Sequence, residues 1–497
     1  MEDEDKSDLS SLLEVNRLDY RLPPSLSIAT SRSMKTFRSA KHDHVMGEDQ
    51  VDFQLSSGAA YVDLLNSYLS FDIKFEGSGL TDVNMPAHAG WLNMIRGYRA
   101  IHSSGVELDR QNDAVGEWTQ IQNYYHRSKD TRRTEGTLYR MNDSINPVPV
   151  SNQPGVYDVA KSNLADPGTV LEDAATPVNI AGKSYRAVIP LCQLAGIFDN
   201  DLLAPSFLTA GMRIELSFYS KDHFFIKPAG WGVDTTVLIS KPEINLECFQ
   251  LTDSITRKLS QISASSGLEW YWDANHHMSN VMAESSVTVQ ITRALSRANN
   301  IIVKSRSNTY VNQAQADSLA SLPWIYDVED SVAANDVSVA AEKGYSGNLA
   351  AFQVQLGAQY MPSQPIQHRE DFLHSALKTF SQFRRSDEVG GVELPTFTGV
   401  KENQGVDAAA GATDKYSRYR PGLAIAAIPL ESSSTLQQSG SAISAQRTAV
   451  VNLEFEHSPK KPYDISASPL SDLRRLDVFV QYSKLATLFL DSVVVRS

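Results

Sequence analysis

The sequence predicts an all-β protein built from two tandem copies of one β-sandwich. Three observations carry this: apolar and polar residues alternate strictly in many short segments, helical stretches are few, and the order of elements in the first half recurs in the second.

The clearest alternation is Leu69, Phe71, Ile73 and Phe75, separated by Ser70, Asp72, Lys74 and Glu76. A period of two sends one face to a core and the other to water, as in a half-buried antiparallel strand. The pattern recurs at Val51/Phe53/Leu55, Ile214/Leu216/Phe218, Ile244/Leu246/Cys248, Val287/Val289/Ile291, Phe352/Val354/Leu356, Val451/Leu453/Phe455 and Leu476/Val478/Val480. A doubly wound fold would need a helix between most successive strands. Only three segments carry helical spacing. Asn112 to Tyr125 places Val115, Trp118, Ile121 and Tyr125 together after an Asn112/Asp113 cap; Arg369 to Phe383 has the stripe Phe372, Leu373, Ala376, Leu377 and Phe380. Asp253 to Ser263 aligns Ile255, Leu259 and Ile262 and reads as a connector.

The duplication follows from element order. In the first half the strand Leu69 to Phe75 leads to Ile95 to Leu108, the helix, a long polar loop, and Tyr185-Arg186-Ala187-Val188-Ile189-Pro190-Leu191. Strands Arg213 to Tyr219 and Ile244 to Phe249 close it. In the second half the expected counterparts are Val287 to Ile291, Phe352 to Leu356, the second helix, a Gly/Ala/Asp-rich loop, Leu423 to Leu430, and strands Val450 to Glu456 and Leu476 to Val480. The Ile-Pro-Leu triplets at Ile189 and Ile428 are offset by 239 residues, and Leu216 and Leu453 by 237, so the copies are tandem. The sequence thus divides into an arm at 1–45, a first unit at 46–250 and a second at 251–497. Residues 127–182, 305–350 and 386–420 form long polar loops, of a length that in compact domains is usually functional or mobile rather than accidental.

Composition narrows the function. A chain of 497 residues excludes a peptide or a disulfide-stapled miniprotein. Cys192 and Cys248 lie apart in apolar stretches and read as buried thiols, with no disulfide framework or cysteine zinc cluster. The 45 Lys+Arg against 58 Asp+Glu give a net charge of −13, which removes a whole-chain footprint for nucleic acid. The opening Met1-Glu2-Asp3-Glu4-Asp5 reverses the charge of a secretory signal, so the expected compartment is reducing. The apolar stretches Leu423 to Leu430 and Leu485 to Val495 fall short of the roughly 20 residues of a membrane-spanning helix.

The segment Ile189-Pro190-Leu191, Leu194, Gly196, Phe198, Leu202-Leu203, Pro205, Leu208, Gly211 and Arg213-Ile214-Glu215-Leu216 resembles the major capsid proteins of tailless double-stranded DNA viruses, closest to the Polinton-like virus and virophage type. Arg474 to Ser497 resembles the closing strand of that family's second unit, whereas Ile428-Pro429-Leu430 runs into Glu431-Ser432-Ser433-Ser434 without a Gly-x-Phe element. The resemblance implies two tandem eight-stranded jelly rolls, a double jelly-roll, with short decorating helices and long loops. It also implies a homotrimer whose six rolls form a pseudo-hexagonal capsomer in an icosahedral shell. The partners would be neighbouring capsomers, penton and minor capsid proteins, without sequence-specific nucleic-acid binding. The location would be the virion, assembled inside the host cell and not secreted. An internal membrane is not readable from the residues. The loops would build an outer tower and the arm would face inward.

No local chemistry competes strongly. GxxxxGK[ST], HExxH, GxSxG and paired CxxC motifs are absent from the sequence, so no catalytic residues, cofactor or metal are assigned. A carbohydrate-binding or glycoside-cleaving β-sandwich is the alternative, since distant acid/base pairs leave no local signature. His42-Asp43-His44 with Glu48 and Asp49 offers metal-ligand types but reads as a solvated arm, and His276-His277 as part of a turn. Asn142-Asp143-Ser144 is a glycosylation sequon expected to go unused. Trp270, Tyr271 and Trp272 are candidate interface anchors. The basic pairs Arg132/Arg133, beside His126-Arg127-Ser128-Lys129, and Arg384/Arg385 are candidate inter-subunit ion-pair residues, given Asp130, Glu135, Asp387 and Glu388 nearby.

Overall fold

The computed structural model describes residues 29–77, 90–128, 184–224, 234–282, 286–307, 349–380, 425–430, 440–445, 447–455, 474–489 and 492–496, with short pieces at 134–136, 138–139, 148–149, 157–158, 400–403 and 417–420. The first half contributes strands β1 (Ala29–Arg38), β2 (Asp43–Val45), β3 (Gln50–Gln54), β4 (Tyr61–Glu76), β5 (Ile95–Ile101) and β6 (Glu107–Gln111), then helix α1 (Val115–Tyr125) and strands β7 (Ser184–Pro190), β8 (Arg213–Phe218) and β9 (Thr236–Leu251). They form two antiparallel sheets, β1-β9-β4-β7 with β2 on β9, and β3-β8-β5-β6.

Helix α2 (Asp253–Ser265) leads to β10 (Leu268–Met282), β11 (Ser286–Ile291), β12 (Leu295–Ser307), β13 (Leu349–Leu356) and β14 (Gln359–Ile366). Helix α3 (Arg369–Thr379), β15 (Ala426–Pro429), β16 (Ser441–Ile443), β17 (Ala449–Phe455), β18 (Arg474–Leu488) and β19 (Val493–Arg496) complete the chain. The sheets are β10-β18-β12-β15, with β16 on β12 and β19 on β18, and β11-β17-β13-β14. With the short β2, β16 and β19 set aside, each half joins its first, eighth, third and sixth strands in one sheet and its second, seventh, fourth and fifth in the other. That is the jelly-roll order, present twice.

Register confirms the equivalence of the copies. Leu216 in β8 lies between Val51 and Tyr98, and Leu453 in β17 between Val287 and Phe352. Each leucine retains 1% exposure, so both are core positions. In the sheets opposite, Leu69 pairs with Ile189 and Ile301 with Ile428, which superposes the two Ile-Pro-Leu strands.

Two expectations are corrected. Leu69 to Phe75 corresponds to β12, not to Val287–Ile291, which is the counterpart of β3. Strand β12 escapes an alternation search because Ala298, Asn299, Asn300, Ile301, Ile302, Val303 and Lys304 are all buried, on both faces. The arm expected over 1–45 does not hold from residue 29 onward, because β1 is an edge strand paired with β9. Most of β1 is exposed, so it shows no apolar face, and Arg32–Glu247 and Arg38–Glu243 ion pairs tie it to its neighbour. Residues 1–28 lie outside the described residues.

Successive strands alternate in direction, so connections alternate between the two ends of a roll. The connections containing 78–89, 129–133, 140–147, 159–183, 225–233, 283–285, 308–348, 381–399, 404–416 and 456–473 therefore all leave from one end, the loop end. The expected loops 127–182, 305–350 and 386–420 lie mostly outside the described residues. At the opposite end, the base, β1 starts and β9 finishes. No helix among the described residues is long and apolar enough to cross a membrane.

Candidate functional site

The described residues contain no group of three or more His, Cys, Asp or Glu able to hold a metal ion, and the side chains with chemistry gather where the two rolls meet. Near the loop end, Arg475 of β18 bonds Asp113 at 3.2 Å, and Tyr125 of α1 stacks on Phe380 after α3 at 5.4 Å. Midway, Lys484 of β18 donates to Asp109 of β6 at 2.9 Å and to the Leu108 carbonyl at 3.2 Å. Near the base, Trp270 donates through Nε1 to the Ile197 carbonyl, and Asn200 through Nδ2 to the Tyr271 carbonyl. Loop end meets loop end and base meets base, so the rolls stand side by side and parallel.

The Lys484–Asp109 pair is inside the protein, with side-chain exposures of 9% and 1%. Burying both charges has a desolvation cost that only dense hydrogen bonding offsets. Tyr98 supplies that bonding, donating its hydroxyl to the other Asp109 oxygen at 2.6 Å. Burial, and then the Asp109 charge beside it, hold the Tyr98 phenol well above its usual range. The ammonium also lies 5.9 Å from the Trp272 ring and 5.7 Å from that of Tyr482. In a second cluster Asp477 accepts from His277 at 2.9 Å and from Arg475 at 3.1 Å, and Arg475 in turn bridges to Asp113 at 3.2 Å. Partial burial pushes the Asp113 carboxyl upward, but Arg96, Arg475 and His277 outweigh it and leave the carboxyl below its ordinary value.

Close backbone contact fixes the base of the junction. A Cβ on Gly196 would sit 1.9 Å from the Asp273 carbonyl oxygen, so only glycine fits. This gives the Gly-x-Phe element of the first roll its role: Gly196 touches the second roll, while Phe198 enters the core.

The candidate interface residues separate. Trp270 and Trp272 are each 2% exposed and serve the junction within the chain, so they are not available to a second subunit. They share the face of β10 that meets the first roll, where Trp270 bonds the Ile197 carbonyl. Tyr271 points out, 46% exposed, near the exposed Leu202 and Leu203, since Asn200 bonds both the Tyr271 carbonyl and the Leu202 N–H. Arg132, Arg133, Arg384 and Arg385 lie outside the described residues, as does the Asn142 sequon. Arg127 pairs with Glu135 of its own chain.

Other polar motifs have structural partners. His276 and His277 lie within β10, not in a turn. His44 is buried and bonds Ser39 and the Lys41 carbonyl; Asp43 accepts from Ser240, and Asp49 from Lys41 and the Val45 N–H. These residues pin the corner between β1 and β3 and do not converge on one point. Cys248 is buried and Cys192 partly so; burial pushes the Cys192 thiol up to about 11, which leaves it unreactive near neutral pH.

Sequence reasoning missed Lys484, Asp477 and Asp109. The available signal was charge inside a largely apolar strand: Leu476 to Leu488 carries Asp477 and Lys484, and both are buried.

Two parallel jelly rolls in one chain define the double jelly-roll class. Solved structures of that class are similar to this chain over nearly its whole length. The Sputnik virophage structure matches at 11% identity with a TM-score of 0.59, covering 97% of this chain and 91% of that one. The Faustovirus major capsid protein matches at 11% identity and 0.56, covering 96% and 94%. The mavirus major capsid protein matches at 8% identity and 0.54, covering 96% and 92%. No protein-family model matches the sequence, and no curated protein does.

Proposed function

We propose that the chain is the major capsid protein of an icosahedral double-stranded DNA virus. In this reading it forms homotrimeric capsomers and divides into an N-terminal arm, a first jelly roll and a second. Its role is structural rather than enzymatic. The observation that carries the reading is the parallel pairing of two like rolls, because three such chains supply six similar blocks for a closed, pseudo-sixfold ring. The solved capsid proteins with the same fold support it.

The junction within the chain also supports a choice of surfaces for closing the proposed ring. Within the chain, the first roll presents α1 and β6 to β10 and β18 of the second. The equivalent face of the second roll is α3 and β14, and the equivalent receiving face of the first is β1 and β9. β14 and β1 are both largely exposed, with Tyr360 at 50% and Met34 at 57%. Between neighbouring chains these faces repeat the internal junction. Neighbouring capsomers, penton and minor capsid proteins are the further partners, and the virion is the location. Light scattering and negative-stain microscopy of the purified chain test the reading, with trimers and hexagonal outlines expected. A protein that stays monomeric at micromolar concentration in every salt condition contradicts it.

A further inference from the structure

Helix α2 is placed unlike α1 or α3. Of its thirteen residues only Ser263 is buried, held by a hydrogen bond from its Oγ to the Leu488 carbonyl. Ile255, Leu259 and Ile262 follow an i, i+4, i+7 spacing and share one side of the helix, with Ile262 44% exposed. None of the three belongs to the packed core or to the partly buried residues against it. Arg257 and Lys258 are exposed and have no ion-pair partner among the described residues.

What lies next to this helix is the start of the described chain. Ala29, at the beginning of β1, pairs with Leu251, and Thr30 bonds the Gln250 carbonyl at 3.1 Å. The described chain therefore begins, at Ala29, opposite a residue two positions before the helix start at Asp253. The sequence before it complements the helix in both polarity and charge. Leu9, Leu12 and Leu13 are spaced for one helical face, and Glu2, Asp3, Glu4, Asp5 and Asp8 surround the single Lys6. Reach is not limiting: the helix is about 20 Å long, and the sixteen residues between Leu12 and Ala29 span that distance in almost any conformation.

We infer that residues 1–28 dock on helix α2 of their own chain, with Leu9, Leu12 and Leu13 covering Ile255, Leu259 and Ile262 and the acidic cluster meeting Arg257 and Lys258. This goes beyond the capsid reading and does not depend on it, because the contact is internal to one chain.

A photoreactive p-benzoylphenylalanine in place of Ile262, in the full-length protein, tests the contact. Irradiation followed by peptide mapping is expected to join residue 262 to peptides from 1–28, with the product at the mass of one chain. Crosslinks to another segment, crosslinks joining light and heavy isotope-labelled chains in a mixed preparation, or no crosslink would overturn the inference. Hydrogen exchange gives a second reading that does not rely on the probe. In the full-length L12D/L13D variant, amides of 253–265 should exchange about tenfold faster while β9 and β18 keep their protection. Unchanged exchange in the helix overturns the inference.

Discussion

The two rolls share one topology but use the same face differently. Helix α1 of the first roll is buried nearly all round, including the polar Glu117, Thr119, Gln120 and Asn123, because it is wedged against the second roll, where Trp118 meets Phe479 at 5.5 Å. Helix α3 holds the equivalent place, yet only Phe372, Ser375, Ala376 and Thr379 are buried while Glu370, Asp371, His374 and Lys378 face outward. The neighbouring strands show the same contrast: Leu108, Asp109 and Gln111 of β6 are buried, whereas β14 has no buried residue. The duplicated fold thus fills one copy of this face internally and leaves the other open, which is the arrangement the proposed ring needs.

The largest effect should fall on the shared part of the rolls. Leu216→Asp and Leu453→Asp each bury an unpaired charge at an equivalent core position, and each should cost about 4–5 kcal/mol or more, enough to unfold its roll. Thermal unfolding of both variants checks this, and a normal melting temperature in either would break the equivalence.

Next come the features that belong to one roll only. Asp109→Ala strands the buried Lys484 ammonium and should destabilise the protein by about 3–5 kcal/mol; with K484M added, much of the loss should be recovered. Denaturant titration of the single and double variants measures both values. Gly196→Ala should cost about 1–3 kcal/mol, because the new methyl group meets the Asp273 backbone rather than a side chain that could swing away.

A smaller, pH-dependent difference marks the second roll. Burial, followed by the nearby Arg293 and His277, lowers the His276 pKa from 6.5 to about 4. Between those values the unfolded chain binds a proton that the folded one does not, so stability falls as pH drops from about 6.5 toward 4. His276→Gln should flatten the melting curve against pH in that window, and an unchanged slope would assign the dependence elsewhere.

The sequence makes the exposed-face strands legible because alternation needs one wet side. Val51, Phe53, Val289, Ile291, Val354 and Leu356 alternate in sequence and are buried in the structure. What it hides comes from contacts made by tertiary packing. Strand β12 loses its alternation because both faces are covered, and β1 never acquires one because it lies exposed at an edge. Trp270 and Trp272 were legible as anchors, but whether they serve this chain or a neighbour depends on how the rolls stand together, which no local spacing encodes. The Gly-x-Phe element was visible as a difference between the halves, and its reason appears only in the 1.9 Å approach of Asp273.

The central claim, that the open face of the second roll seats a neighbouring copy, is tested most directly by the mass of the native protein and of a Tyr360→Glu variant in solution. Tyr360 is half exposed, so the substitution should leave folding stability within about 0.5 kcal/mol. Multi-angle light scattering should give about 164 kDa for the native protein, three times the 54.8 kDa chain, and a single-chain mass for the folded variant. A native protein that runs at 54.8 kDa, or a variant that remains trimeric, would contradict the account.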